Sequence, residues 1–250
     1  MQVLIIELEG KLAHFRKYFA NNTAMSYSLP PRSTLMGMIA AIMGLERDSY
    51  YTLLDARHLR LGAGIISPLK KSFHRLNYLK IENASQFRGN NDHIQVPVEV
   101  LSALHPAREQ LCYRLYVAPG EEGQSFERLH QHLLARGGPH YALSFGAAPF
   151  AAHLRHWEVQ EAGSREADQH PVDIHSAIPA DQVEEVIIPP GEGFYRQIEE
   201  ELLPAEFSAE PLREVSSMNR LLFASDGKPL TVRLRGNFWQ AGEHQFCFMQ

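Results

Sequence analysis

Long apolar runs are missing from this 250-residue chain. No window of 18 uninterrupted apolar residues exists, so no membrane-crossing helix is expected. Residues 1–10 carry Glu7 and Glu9 and no basic stretch, which argues against an export signal. Cysteine is scarce: Cys112 and Cys247 are the only two, both in apolar, strand-like surroundings. They are expected to be buried thiols of a protein kept in a reducing cytoplasm. Walker loop, G-x-S-x-G elbow and H-E-x-x-H motif are all lacking, which removes the commonest signatures of nucleotide hydrolysis, acyl transfer and zinc proteolysis. Low-complexity tails are lacking too.

Cationic excess is also missing, because the net charge is −5. A generic nucleic-acid binder is thereby disfavoured, but the charge is segregated. Residues 56–91 hold seven Lys/Arg against one Glu, whereas residues 157–212 hold fourteen Asp/Glu against two Arg. Such a division fits one face for a polyanion and another for solvent or protein partners. Apolar residues make up 44% of the chain, enough for a sizeable core.

The most informative stretch is residues 24–45. Pro30 and Pro31 hold the chain extended, Ser33 or Thr34 can cap a helix over 34–45, and Gly44 ends it. Gly37 inside that helix costs about 1 kcal/mol relative to Ala, which suggests a close approach by another group. Phe15, Arg16 and Tyr18 form an aromatic-basic cluster just upstream. A polar loop feeding the N-terminus of a buried helix can hold phosphates, since free N–H groups and the helix dipole point outward.

Along the chain, Val3–Leu8 is an apolar run of strand length, and Asp48 is placed to start a short helix reaching Arg57. Strands are expected at 59–67, with Gly62 and Gly64 marking a bulge or close contact, and at 111–118, ended by Pro119 and Gly120. Ser125 is placed to cap a helix over 126–136 that buries Phe126, Leu129, Leu133 and Leu134 on one face. A fourth strand lies at 141–145 or 153–159. The order strand, helix, strand, strand, helix, strand is that of a ferredoxin-like α+β domain, here about residues 1–160. Its middle strands are joined by about 45 residues, far beyond a normal hairpin loop. Residues 68–92 of that connection are polar and basic, show no period, and are expected to project as an arm. Beyond a polar connector at 161–171, strands at 183–188 and 230–235, a turn at 225–228 and a helix over 194–203 ended by Pro204 suggest a smaller β-rich region, 161–250.

The aromatic RNP consensus of RNA-recognition domains is absent, so any RNA contact falls to loops rather than an open sheet. Lys70, Lys71, Phe73, His74, Arg75 and Tyr78 interleave cations with aromatics. That mixture suits backbone contacts plus stacking, and equally an ordinary solvated hairpin. The thirteen histidines, among them His130, His132, His153, His156, His170 and His175, show no metal-ligand spacing. Glu199, Glu200 and Glu201 are consecutive and point in different directions, a poor acid–base pair.

Phe15, Arg16, Lys17 and Tyr18, then Ser26-Tyr27, Pro30-Pro31-Arg32, Thr34, Gly37 and Gly44-Leu45, form an ordered set. Together they resemble the N-terminal signature of the CRISPR-associated Cas five family, of the RAMP superfamily, closest to its type I-B branch. The resemblance covers residues 3–48, continues weakly through 96–101 and 141–146, and fades after about 160. It implies a ferredoxin-like domain carrying a thumb-like arm at 68–104, without metal or cofactor. It further implies a non-catalytic subunit of a type I Cascade surveillance complex, in antiviral defence. Such a subunit caps the 5′ handle of the crRNA, contacts the Cas seven backbone and a Cas eight-type large subunit, and meets target DNA only through the complex. The RNA-binding residues expected on that basis are Arg16, Lys17, Tyr18, Ser26, Tyr27, Arg32, Lys70, Lys71, Phe73, His74, Arg75 and Tyr78. Pro30, Pro31, Gly37 and Gly44 would be structural. An alternative is the metal-independent crRNA-processing endoribonuclease of the type I-C branch, for which Tyr50, Tyr51, Lys71 and His74 are the available acid–base groups.

Overall fold

The apolar run at the start of the chain becomes the strand Gln2–Gly10 at the middle of a sheet in the computed structural model. The structure describes residues 1–20, 23–81, 83–88, 93–122, 124–168, 170–191, 196–207 and 214–249. The sheet is antiparallel, in the order Leu59–Ile65, Leu111–Pro119, Gln2–Gly10, Ala151–Glu161, Leu143–Ser144. Because both faces are covered, its central strands are apolar at successive positions rather than alternate ones. Leu4, Ile6 and Leu8 pack with Leu115 and Val117 beneath the helices α1 (Arg32–Met43) and α2 (Gln124–Arg136). Val3, Ile5, Tyr116 and Ala118 face the other way, onto Ala241, Phe246 and Phe248 near the C-terminus.

Gly62 and Gly64 mark close contacts, as their placement in a strand suggests. A Cβ at Gly62 would lie 2.6 Å from the Cys247 carbonyl oxygen, and one at Gly64 2.0 Å from that of His175. The C-terminal segment therefore rests directly on the edge strand's backbone. Cys112 and Cys247 are both free thiols and buried, and burial raises the Cys247 pKa to about 12.

Several expectations are corrected. Helix α1 starts at Arg32, two residues early, with no side-chain cap; the Pro31 carbonyl accepts from the N–H groups of Thr34 and Leu35. Gly44 closes it in the left-handed conformation, φ 75°. The group close to Gly37 is the Tyr50 hydroxyl, 3.1 Å from a Cβ built there. No helix forms over 48–57, which is a series of turns with Asp48 left-handed at φ 62°. The Asp55 carboxylate accepts from the Arg57 backbone and guanidinium, a local alternative to helical hydrogen bonds. Ser125 donates to the Leu53 carbonyl instead of capping, and Leu134 is 56% exposed while Phe126, Leu129 and Leu133 are buried.

The helix expected over 194–203 is a strand where it can be described, Ile198–Phe207, paired with Val215–Ala224; Phe194 and Tyr195 lie outside the described residues. Pro204 sits inside this strand, where the register shifts before Glu206. Period two explains the reversal: Glu199 and Glu201 turn to one side and Glu200 to the other, where it pairs with Arg220. Within the supposed connector, Gly163–Glu166 pairs with Asn237–Ala241. Strands also form at Val183–Val186 and Leu230–Leu234, and Gly227 turns at φ 78°. Among the described residues no helix is long and apolar enough to cross a membrane.

Candidate nucleic-acid interface

The segment after Leu59–Ile65 is not the aperiodic arm expected at 68–92. Leu69–Leu79 pairs antiparallel with His93–Ala103 in unbroken register, from Leu69 opposite Ala103 to Leu79 opposite His93. The base of this ribbon is anchored by buried Leu69, Val98, Val100, Leu101 and Ala103. From Phe73 to Leu79 every residue of the first strand is exposed, so no buried face imposes an apolar alternation there and the backbone ladder alone holds it.

Strand alternation sends His74, Leu76 and Tyr78 to one face. There they join Val98, Phe15, Arg16 and Phe150 around a groove of about 760 Å³ between ribbon and body. The His74 ring lies 3.0 Å from the Ser72 hydroxyl. A second hollow of about 480 Å³ opens beside the first turns of α1, lined by Tyr18, Gly37, Arg47 and Tyr50. Arg16, Thr34 and Gly146 border both hollows. Gly146, at φ 83°, lets the chain pass so close to His14 that a Cβ would lie 2.1 Å from its carbonyl oxygen. Arg16 is exposed, and its guanidinium has no partner among the described residues, whereas Arg47 is paired with Asp48 at 3.2 Å. Two adjoining hollows thus offer a free cation, aromatic faces and the start of a helix.

The residues singled out from sequence separate into two groups. Arg16, Tyr18, Lys70, Phe73, His74, Arg75 and Tyr78 are exposed; of these, Arg16, His74 and Tyr78 meet at the groove. Phe73 and Arg75 take the opposite face of the ribbon.

Ser26, Tyr27 and Arg32, expected as RNA contacts, are buried. The Ser26 hydroxyl accepts from the Phe15 N–H and donates to the Tyr27 carbonyl, pinning the turn of the signature block. The Tyr27 phenol is pushed up to about 12, first by burial and then by the charges of Tyr18 and Glu201. Arg32 is 1% exposed; it donates to the carbonyls of Leu54 and Leu59 and lies 3.4 Å from Glu206. It therefore ties α1 to the turns that replace the expected second helix.

Lys17 and Lys71, expected as RNA contacts too, are both paired with carboxylates within the protein. The Lys17 ammonium donates to Glu201 at 2.8 Å and sits 5.2 Å above the Tyr27 ring. Lys71 lies 3.2 Å from Glu199 and 3.7 Å from Glu201. Ser28 completes the cluster, its hydroxyl donating to Glu199 at 2.6 Å and its N–H to Glu201 at 3.1 Å. Burial alone would raise the Glu199 pKa, but the Ser28 hydrogen bond and the Lys71 charge hold it below the usual carboxylate range. The basic and acidic segments of the sequence thus meet in space. Sequence reasoning missed this clamp, and its available signal was the period-two spacing of Glu199 and Glu201.

Of the candidate acid–base groups, Tyr50 and His74 line neighbouring hollows, and the Tyr51 hydroxyl donates to Asp48. Among the described residues no three His, Cys, Asp or Glu side chains gather at a potential metal site.

A structure described as "Crystal structure of a CRISPR protein from Archaeoglobus fulgidus" is similar over 98% of this chain and 97% of its own, at 12% identity and a TM-score of 0.58. A chain of a "CRISPR RNA-guided surveillance complex" is 14% identical over 92% of this chain and 90% of its own, with a TM-score of 0.49. The fold is thus one shared with a CRISPR-associated protein. The family model described as "CRISPR-associated protein (Cas_Cas5)" matches residues 3–215, and the chain belongs to that Cas five family. No curated protein matches its sequence.

Proposed function

We propose that the chain is a non-catalytic, cytoplasmic subunit of a type I Cascade complex, closest to type I-B, that holds the 5′ handle of the crRNA between ribbon and body. The observation that carries this reading is the convergence of Arg16, His74 and Tyr78 on one groove of about 760 Å³. Arg16 meets phosphate, Tyr78 and His74 stack unpaired bases, and the apolar wall excludes water. The ribbon is the thumb-like arm, 68–104, and its outer face, with Phe73 and Arg75, meets the Cas seven backbone. The large, Cas eight-type subunit docks elsewhere on the body, and target DNA is met through the complex. The strand order around Gln2–Gly10, with both helices on one face, supports a ferredoxin-like domain over 1–160 and a β-rich region over 161–250.

Lys71 is unsuited to act as a base, because its Nζ is already engaged by Glu199 at 3.2 Å and Glu201 at 3.7 Å. Tyr50 and His74 are the remaining groups near the groove from which metal-independent cleavage could be built. The test is to incubate the protein with its repeat RNA in EDTA and to measure binding in parallel. Tight binding of the handle segment without products is the expected result. Single-site products that vanish in Tyr50→Phe or His74→Ala would establish the endoribonuclease instead.

A further inference from the structure

A third pocket lies away from the ribbon. It has a volume of about 410 Å³ and is lined by Arg60, Gln182, Asn237, Trp239, Phe248 and their neighbours. Arg60 sits near the start of the strand Leu59–Ile65, whereas the ribbon leaves from that strand's other end. The strand is seven residues long, so about 20 Å separate its two ends.

Of the polar groups that line it, Arg57 is held by Asp55 and Glu121 brings a carboxylate, while four others are unspent. Arg60 is half-buried, yet its guanidinium has neither a hydrogen bond nor an ion pair among the described residues. Every other arginine described as buried or half-buried is held: Arg32 by Glu206, Arg114 by Glu7, Arg196 by Asp226 and Arg233 by Glu185. The side chains of Gln182 and Asn237 and the indole N–H of Trp239 also lack partners there, although Gln182 and Trp239 are half-buried. Without a protein acceptor, these donors are left to water or to a ligand that enters the pocket. Four such groups opening into one pocket fit a ligand that brings its own acceptors.

The geometry points to a nucleotide-binding site formed by Arg60, Gln182, Asn237 and Trp239. Its ligand is one nucleotide of a single strand: the base stacks on Trp239, the two side-chain amides read the base edge, and Arg60 takes the phosphate. RNA, DNA and a free mononucleotide all present this chemistry. The site is independent of the groove, and the two can fail separately.

Fluorotryptophan labelling of the full chain gives two resonances, from Trp157 and Trp239, assigned with Trp239→Phe. Adenosine monophosphate, a six-residue deoxyadenosine strand, a six-residue riboadenosine strand and a poly-glutamate peptide are titrated in turn. The proposal expects a saturable shift at Trp239 and none at Trp157. Arg60→Gln should weaken that binding about tenfold and flatten the salt dependence of strand binding by about 0.7. Tyr78→Ala and Arg16→Gln should leave the Trp239 shift unchanged while weakening handle binding. A shift with the mononucleotide alone identifies a small-molecule ligand, and one confined to RNA or DNA identifies the strand. Absence of a shift with all three nucleotides, a shift unaltered in Arg60→Gln, or a shift only with the peptide overturns the site. Loss of the shift in Tyr78→Ala also overturns it, by showing one continuous surface.

Discussion

In the block from Ser26 to Gly44, arginine, serine and tyrosine turn inward; in the ribbon Leu69–Leu79, the same kinds of side chain turn outward. Arg32 is 1% exposed and serves as a strut between α1 and the turns behind it. Tyr78 is 49% exposed and has its ring free at a groove. A family signature can therefore mark the packing that positions an interface as well as the interface itself. Chemically versatile residues carry no label for either use, and burial decides between them.

The comparison breaks most sharply at Arg32. Arg32→Ala removes the partner of Glu206 and of two carbonyls and should destabilise the protein by about 3–5 kcal/mol. A thermal melt within a degree or two of the parent would show that the block is not a structural strut.

A smaller effect is expected at the clamp that joins the two regions. Glu201→Leu leaves Lys17 without its carboxylate and should cost about 2 kcal/mol. Amide exchange across 69–79 should rise in parallel. Because the Glu199 pKa is depressed, its contribution is full above the ordinary glutamate range and is lost as pH falls through its own lower value. Acid should therefore loosen the base of the ribbon, and exchange rates independent of pH over that range would remove the clamp.

Tyr78→Ala should lower handle affinity by about 1–2 kcal/mol, as expected for one stacked base, with little change in melting temperature. Unchanged affinity would place the RNA elsewhere. The smallest expected effect separates two neighbouring lysines. Lys70→Gln should flatten the salt dependence of RNA binding by about 0.7 if Lys70 touches one phosphate. Lys71→Gln should not, since Glu199 and Glu201 already neutralise Lys71. Equal slopes for both variants would contradict that division.

The strand Gln2–Gly10, the helix closed by Gly44, the strand Leu111–Pro119 and the tight contacts at Gly62 and Gly64 were legible in the sequence. In each, the signal is local: an apolar run fills both faces of a strand, a left-handed φ suits glycine, and a missing Cβ admits a neighbouring carbonyl. The turns at 48–57, the strand Ile198–Phe207 and the ribbon were not legible. Local hydrogen bonds at Asp55, a clamp to residues more than a hundred positions away, and a ladder with no buried face leave little periodic trace.

The same boundary runs through the candidate site. Which side chains could meet RNA followed from their chemistry, and the list of cations and aromatics was readable without coordinates. Which of them are available was decided only by tertiary structure. Availability depends on whether another part of the chain already satisfies the charge, as Glu201 does for Lys17 and Glu199 for Lys71, while Arg16 is left open to the groove.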